Sequence, residues 1–135
     1  MHQQNNYPIE KPDSDCDVNL RDGCQDEEYL HLLRQNLEHS LARFSPDLIF
    51  YFAGADPFYE DQLGGLGLSL DGLRERDHIV FRMARDRQIP VAVVLAGGYA
   101  MHVADTVSIH IGTVQTAKAV LASESSPSTK PPEDQ

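Results

Sequence analysis

A chain of 135 residues with 21 acidic against 11 basic side chains, and a formal net charge of −10, suits one compact domain. That balance argues against direct nucleic-acid binding, which calls for clustered Lys and Arg; it is compatible with a cationic substrate, although solubility is the ordinary use of such charge. Cys16 and Cys24 lack CxxC spacing, no basic start precedes an apolar block, and no apolar run approaches the roughly 20 residues that span a bilayer, so the expectation is a cytoplasmic protein with no zinc knuckle, disulfide framework, signal peptide or membrane segment.

Residues 1–25 are polar and broken by Pro8, Pro12 and Gly23, and read as a long irregular segment that is functional, disordered or packed against something else. A helix is expected over Asp26 to Phe44, where Tyr29, Leu33, Leu37, Leu41 and Phe44 make one apolar stripe. Asp26, Glu27 and Glu28 sit in its first turn, where negative charge suits the helix dipole. "DLIFYFAGA" follows without alternation, the look of a strand buried on both faces of a parallel sheet. Ser69 is the expected N-cap of a second helix over Leu70 to Arg87, with Leu70, Leu73, Val80 and Ala84 inward. "PVAVVLAGG" reads as a second buried strand. A third helix over Ala100 to Leu121 is expected to turn Ala104, Val107, Ile111, Val114 and Leu121 inward. Residues 1–122 thus form the expected domain, and 123–135, rich in Ser and Pro, an expected disordered tail.

The strand–helix–strand unit predicts a right-handed parallel crossover. Two strands that look buried on both faces have few elements here to cover them, so the sequence reads as part of a larger α/β domain. Self-association of the chain alone follows as an expectation, since central strands left at an edge offer unpaired backbone groups.

In open parallel sheets, sites lie in the loops at the carboxyl ends of the strands. Here those loops carry "GADP" and "AGGYA", and the crossover brings Asp56 and Tyr99 to one edge. Asp56 reads either as an Asx-turn residue or as a ligand. Gly97 and Gly98 permit a tight turn or receive a phosphate at a helix start, and Tyr99 reads as a partly buried packing residue. A nucleotide site is the weakest reading, because GxGxxG and GKS/GKT are both absent.

"PDLIFYFAGADPFYEDQLGGLGLSLDGLRERD" followed by "IPVAVVLAGGYA", with "NNYP" and "LRDGCQDEEYL" upstream, resembles the C-terminal part of the histone deacetylase family, which includes bacterial acetoin-utilisation proteins and acetylpolyamine amidohydrolases. The resemblance covers roughly Asn5 to Ala119. It implies the C-terminal part of an arginase-like α/β parallel-sheet domain, zinc as cofactor, and acetyl-lysine or another acetylated amine as substrate. It implies that Asp56 is a metal ligand, that Tyr99 is catalytic and stabilises the oxyanion, and that Gly97 and Gly98 line the substrate channel. Asp61 is expected to fix its loop by accepting hydrogen bonds, and Arg76 and Asp77 to lie on a helix surface or brace a loop. The family's Asp-x-His and paired-histidine motifs are absent, and His2, His31, His39, His78, His102 and His110 lack metal-type spacing. The expectation is therefore a zinc-hydrolase fragment that is inactive alone; a non-catalytic remnant or binding module is the alternative.

Overall fold

The structure, a computed structural model, describes residues 1–123. The tail expected over 123–135 lies, but for Ser123, outside the described residues. The elements run β1 (His2–Gln3), β2 (Asn19–Leu20), α1 (Asp26–Phe44), β3 (Ile49–Phe52), α2 (Leu70–Asp86), β4 (Val91–Val94) and α3 (Val103–Ala122). β3 and β4 pair in parallel with Ile49 opposite Val91 and Phe52 opposite Val94. The crossover read from the sequence is thus present, with α2 as its helix.

The opening segment is less irregular than expected. β1 and β2 form a parallel pair closed by His2 N–H to Val18 O (3.1 Å) and Gln4 N–H to Leu20 O (2.8 Å). Two-residue strands leave no periodicity to read.

α1 keeps the expected bounds. Tyr29 and Leu41 are buried, while Phe44 at its end is exposed. Its first-turn Asp26 does more than face the helix dipole. It accepts from Ser69 N–H (2.9 Å) and Ser69 Oγ–H (2.6 Å), tying the start of α1 to the start of α2. Ser69 in turn caps α2 by accepting from Gly72 N–H at 2.9 Å. A Cβ on Gly72 would lie 1.9 Å from Asp26 Oδ1, so only glycine lets the two helix starts approach.

α2 buries Leu73, Val80 and Ala84 as expected, and Leu70 by half. It also buries Arg76 and Asp77, at 3% and 0% exposure, which rules out the helix-surface reading of that pair.

α3 departs furthest from expectation. Its inward residues are Ile109, Gly112, Thr113 and Val120, whereas Ala104, Val107, Ile111, Val114 and Leu121 face outward. Both faces of this helix are apolar, so the stripe alone does not choose a side. Gly112 faces Arg74 of α2, and Thr113 reaches Asp77. α3 also starts at Val103 rather than Ala100, because Ala100 bridges to Asp61 and Met101 N–H donates to Glu60 O (3.0 Å).

β3 is not buried on both faces in this chain. Tyr51 packs edge-on against Phe81 of α2, with ring centroids 5.8 Å apart. Phe50 and Phe52 point the other way and are 65% and 67% exposed. The apolar core lies instead at the carboxyl edge of the sheet. Leu20, Cys24, Tyr29, Leu73 and Ile109 gather there around Ala55, Phe58, Leu68 and Ala100 of the two loops.

Candidate metal and substrate cleft

The core supports a pair of loops cross-tied to each other. β pairing runs past the named strands: Ala53 N–H donates to Val94 O (2.9 Å) and Ala55 N–H to Gly97 O (2.8 Å). The loop after β3 then turns, with Phe58 N–H donating to Ala55 O (3.1 Å) and Leu68 N–H to Pro57 O (3.0 Å). Gln62 N–H donates to Tyr99 O at 3.0 Å.

Asp61 is the residue that locks this arrangement. Its Oδ1 accepts from Leu63 N–H (2.9 Å) and Gly64 N–H (2.6 Å), and its Oδ2 accepts from Tyr99 N–H (2.6 Å). The structural role expected for Asp61 is therefore observed, and it extends across to the second loop. Both its oxygens are committed to backbone donors.

Asp56 and Tyr99 line one cleft of about 370 Å³, together with Asp61, Gly97 and Gly98. The sheet edge thus brings all the sequence-predicted site residues together. Asp56 is exposed by area, yet its carboxylate is hemmed in by the loop: a Cβ on Gly54 would lie 2.4 Å from its Oδ1. Burial pushes the Asp56 carboxyl above the usual carboxylate range; Asp61 acts in the same sense, while its own backbone N–H and Arg76 oppose. Tyr99 is 61% exposed on the cleft rim.

The two glycines differ. A Cβ on Gly98 would meet Ala55 Cβ at 2.6 Å, so Gly98 is required by packing between the two loops. A Cβ on Gly97 would meet nothing within 4 Å, so Gly97 borders open space.

Asn6 and Tyr7 of the opening segment also line the cleft, and Asn6 Nδ2–H donates to Leu63 O at 3.0 Å. "NNYP" carries no site pattern of its own in the sequence, because its approach to the cleft follows from the β1–β2 pair. His102 stands exposed at the N-cap of α3 and His31, His39 and His78 are exposed on their helices, none of them lining the cleft.

Beneath the cleft lies a buried polar cluster. Arg76 Nη1–H donates to Gly54 O (2.6 Å) and Nε–H to Asp77 Oδ1 (2.9 Å). Arg76 Nη2 lies 2.9 Å from the same oxygen, without a hydrogen-bonding alignment. Asp77 also accepts from the Tyr51 hydroxyl through Oδ1 and from Thr113 Oγ–H (2.6 Å) through Oδ2. Burial pulls the Arg76 guanidinium down, but Tyr51, Asp77 and Tyr29 outweigh it and the net shift is upward. Burial, foremost, drives the Tyr51 phenol far up, so it stays a hydrogen-bond donor.

Among the described residues, no three His, Cys, Asp or Glu side chains are grouped to hold a metal ion. With Asp61 committed to backbone donors, Asp56 is the cleft carboxylate left to bind one, so the residues present do not make a zinc site by themselves. No described helix is long and apolar enough to cross a membrane.

Comparison with known proteins places this geometry. The histone deacetylase domain matches residues 1–114. An uncharacterized protein of Picosynechococcus sp. is 40% identical over 82% of this chain and 37% of its own length. Histone deacetylase 2 of Arabidopsis thaliana is 41% identical over 63% of this chain and 22% of its own length. Among solved structures, a histone deacetylase homologue from Aquifex aeolicus superposes with a TM-score of 0.67 at 22% identity, over 90% of this chain and 38% of that one. An acetylpolyamine aminohydrolase from Burkholderia pseudomallei gives 0.66 at 19% identity, over 77% of this chain and 28% of that one. These structural likenesses show the fold, and the chain spans well under half the length of the relatives it matches. On the domain match over most of its length, the chain belongs to the histone deacetylase family.

Proposed function

We propose that this chain supplies the carboxylate and phenol side of a zinc-dependent deacetylase centre, acting on acetyl-lysine or a related acetylated amine in a cytoplasmic setting. The observation that carries the reading is the meeting of Asp56 and Tyr99 in one cleft at the carboxyl edge of a parallel crossover. In this reading Asp56 donates one ligand to a metal whose other donors come from outside the described residues. A zinc ion so held would polarise the acetyl carbonyl and activate water. The chain's own part is to orient. Tyr99 presents a phenolic O–H donor at the rim, where an oxyanion would develop. Asp61 fixes the Tyr99 backbone, and Gly97 leaves open space for a chain to pass.

The test is a chimera in which residues 1–122 replace the matching segment of a deacetylase relative of known activity. The expected result is zinc-dependent deacetylation that survives the replacement. Tyr99→Phe should then lower kcat by about 100-fold or more, and Asp56→Asn should release the metal. A folded chimera that keeps zinc and turnover with either substitution overturns the assignment.

A second reading, a non-catalytic binding module, is favoured by the missing three-donor group among the described residues. Zinc content and deacetylation of the chain alone separate the two, with weak zinc binding and no appreciable turnover expected. Stoichiometric zinc retained after dialysis against a chelator would contradict that expectation.

A further inference from the structure

We propose that the buried Arg76–Asp77 pair is a positioning device that sets where the Asp56 loop leaves the sheet; its functional value rests on the reading of Asp56 above. Gly54 lies in the last paired stretch before that loop turns at Asp56 and Pro57, and Arg76 donates to its carbonyl at 2.6 Å from beneath. The guanidinium is itself held at a fixed angle, because its Nε–H is bonded to Asp77 Oδ1. Asp77 is held from two further elements, by Tyr51 of β3 and Thr113 of α3. Three elements, α2, β3 and α3, therefore converge on one carboxylate, and the outgoing bond from Arg76 reaches the residue two before Asp56.

Stability alone is a poor account of this pair. Burying two charges is costly, and an apolar pair of similar volume is often as stable or more so. What an apolar pair does not supply is a directed donor for the Gly54 carbonyl. A planar guanidinium fork fixes direction where an ammonium does not. The carbonyl points into the protein, so without Arg76 it would have to turn to find a partner, and the Gly54 backbone is free to turn. Any such turn shifts Asp56, whose Oδ1 rests against Gly54.

The experiment is amide hydrogen exchange on the full chain, with each rate compared with those of Leu73 and Ile79 in the core of α2. The variants are the apolar double replacement Arg76→Met with Asp77→Leu, and separately Arg76→Lys. If the pair positions the loop, the double variant keeps α2 protected while the Ala55 amide, bonded to Gly97 O, exchanges at least about tenfold faster. Should the double variant fail to fold, Arg76→Lys decides. It keeps the charge and loses the fork, so Ala55 must again exchange faster relative to α2. Exchange at Ala55 that stays in step with Leu73 and Ile79 in the folded variant overturns the proposal and leaves the pair a structural feature. The measurement needs neither metal nor substrate, so failure of the chimera and failure of this proposal are distinguishable.

Discussion

The carboxyl edge of the β3–β4 sheet and the outward faces of the same elements obey opposite rules. At the edge, polar groups are buried and, apart from Arg76 Nη2, hydrogen-bonded. Arg76 and Asp77 are sealed under the loops, and Asp61 spends both oxygens on backbone N–H groups. On the outward faces, apolar groups stand exposed: Phe50 and Phe52 of β3 at about two thirds, Val107, Ile111 and Val114 of α3 at about half. Monomeric surfaces do expose scattered apolar residues, but a helix apolar all round is normally covered all round. The difference teaches that the site edge is a finished piece of architecture, whereas the body carrying it is shaped for further contacts.

The sharpest way to break that comparison is Arg76→Met alone. It leaves the Asp77 carboxylate buried without its cation, and a loss of about 3–5 kcal/mol is expected in urea denaturation. A loss below about 1 kcal/mol would mean the edge is wetter and looser than its contacts imply. Next in size, Gly98→Ala forces a methyl against Ala55 and should cost about 1–3 kcal/mol. Gly97→Ala, one residue earlier with open space before it, should stay within about 0.5 kcal/mol. Paired thermal melts of these two read the edge directly, and equal losses would place the close packing elsewhere.

The outward faces should answer differently. Phe50→Lys and Ile111→Lys should change the stability of the chain by no more than about 0.5 kcal/mol. They should lower self-association in sedimentation velocity if these faces are sticky as well as bare. A large loss of stability in a strictly monomeric chain would show that the faces are already covered. The smallest effect is expected at Asp56. Its folded-state pKa lies above the unfolded value, so ionisation at neutral pH works against folding and protonation relieves it. Asp56→Asn should therefore raise the melting temperature slightly at pH 7, and the gain should vanish below the unfolded pKa. A variant less stable than the parent at pH 7 would contradict the direction of that shift.

The edge was legible in the sequence because topology does most of the work. Once two strands are parallel and joined by a helix, Asp56 and Tyr99 must share an end. The Ser69 cap and the bounds of α1 were equally readable, since caps and periodicity are local. The inward face of α3 was not. Its stripe of Val107, Ile111 and Val114 is more apolar than the Ile109, Gly112 and Thr113 face that packs, so hydrophobicity pointed to the wrong side. The winning face was chosen by closeness to α2 and by one hydroxyl reaching Asp77. The Arg76–Asp77 pair hid for a related reason: two adjacent charges on a helix read as surface until the partners from β3 and α3 are in place.

Cys24 sits in the core at 0% exposure, and burial, the largest influence on it, pushes its thiol pKa up. Cys16 is half-buried in the opening segment. Because the thiolate is the reactive form, a slow thiol reagent meets two very different targets in one chain. Cys16 is open to modification in the folded state, while modification of Cys24 waits for Leu20, Tyr29 and the loop residues around it to part. The molecule thus carries its own clock for opening of the core beneath the cleft, readable by mass and requiring no label, ligand or turnover.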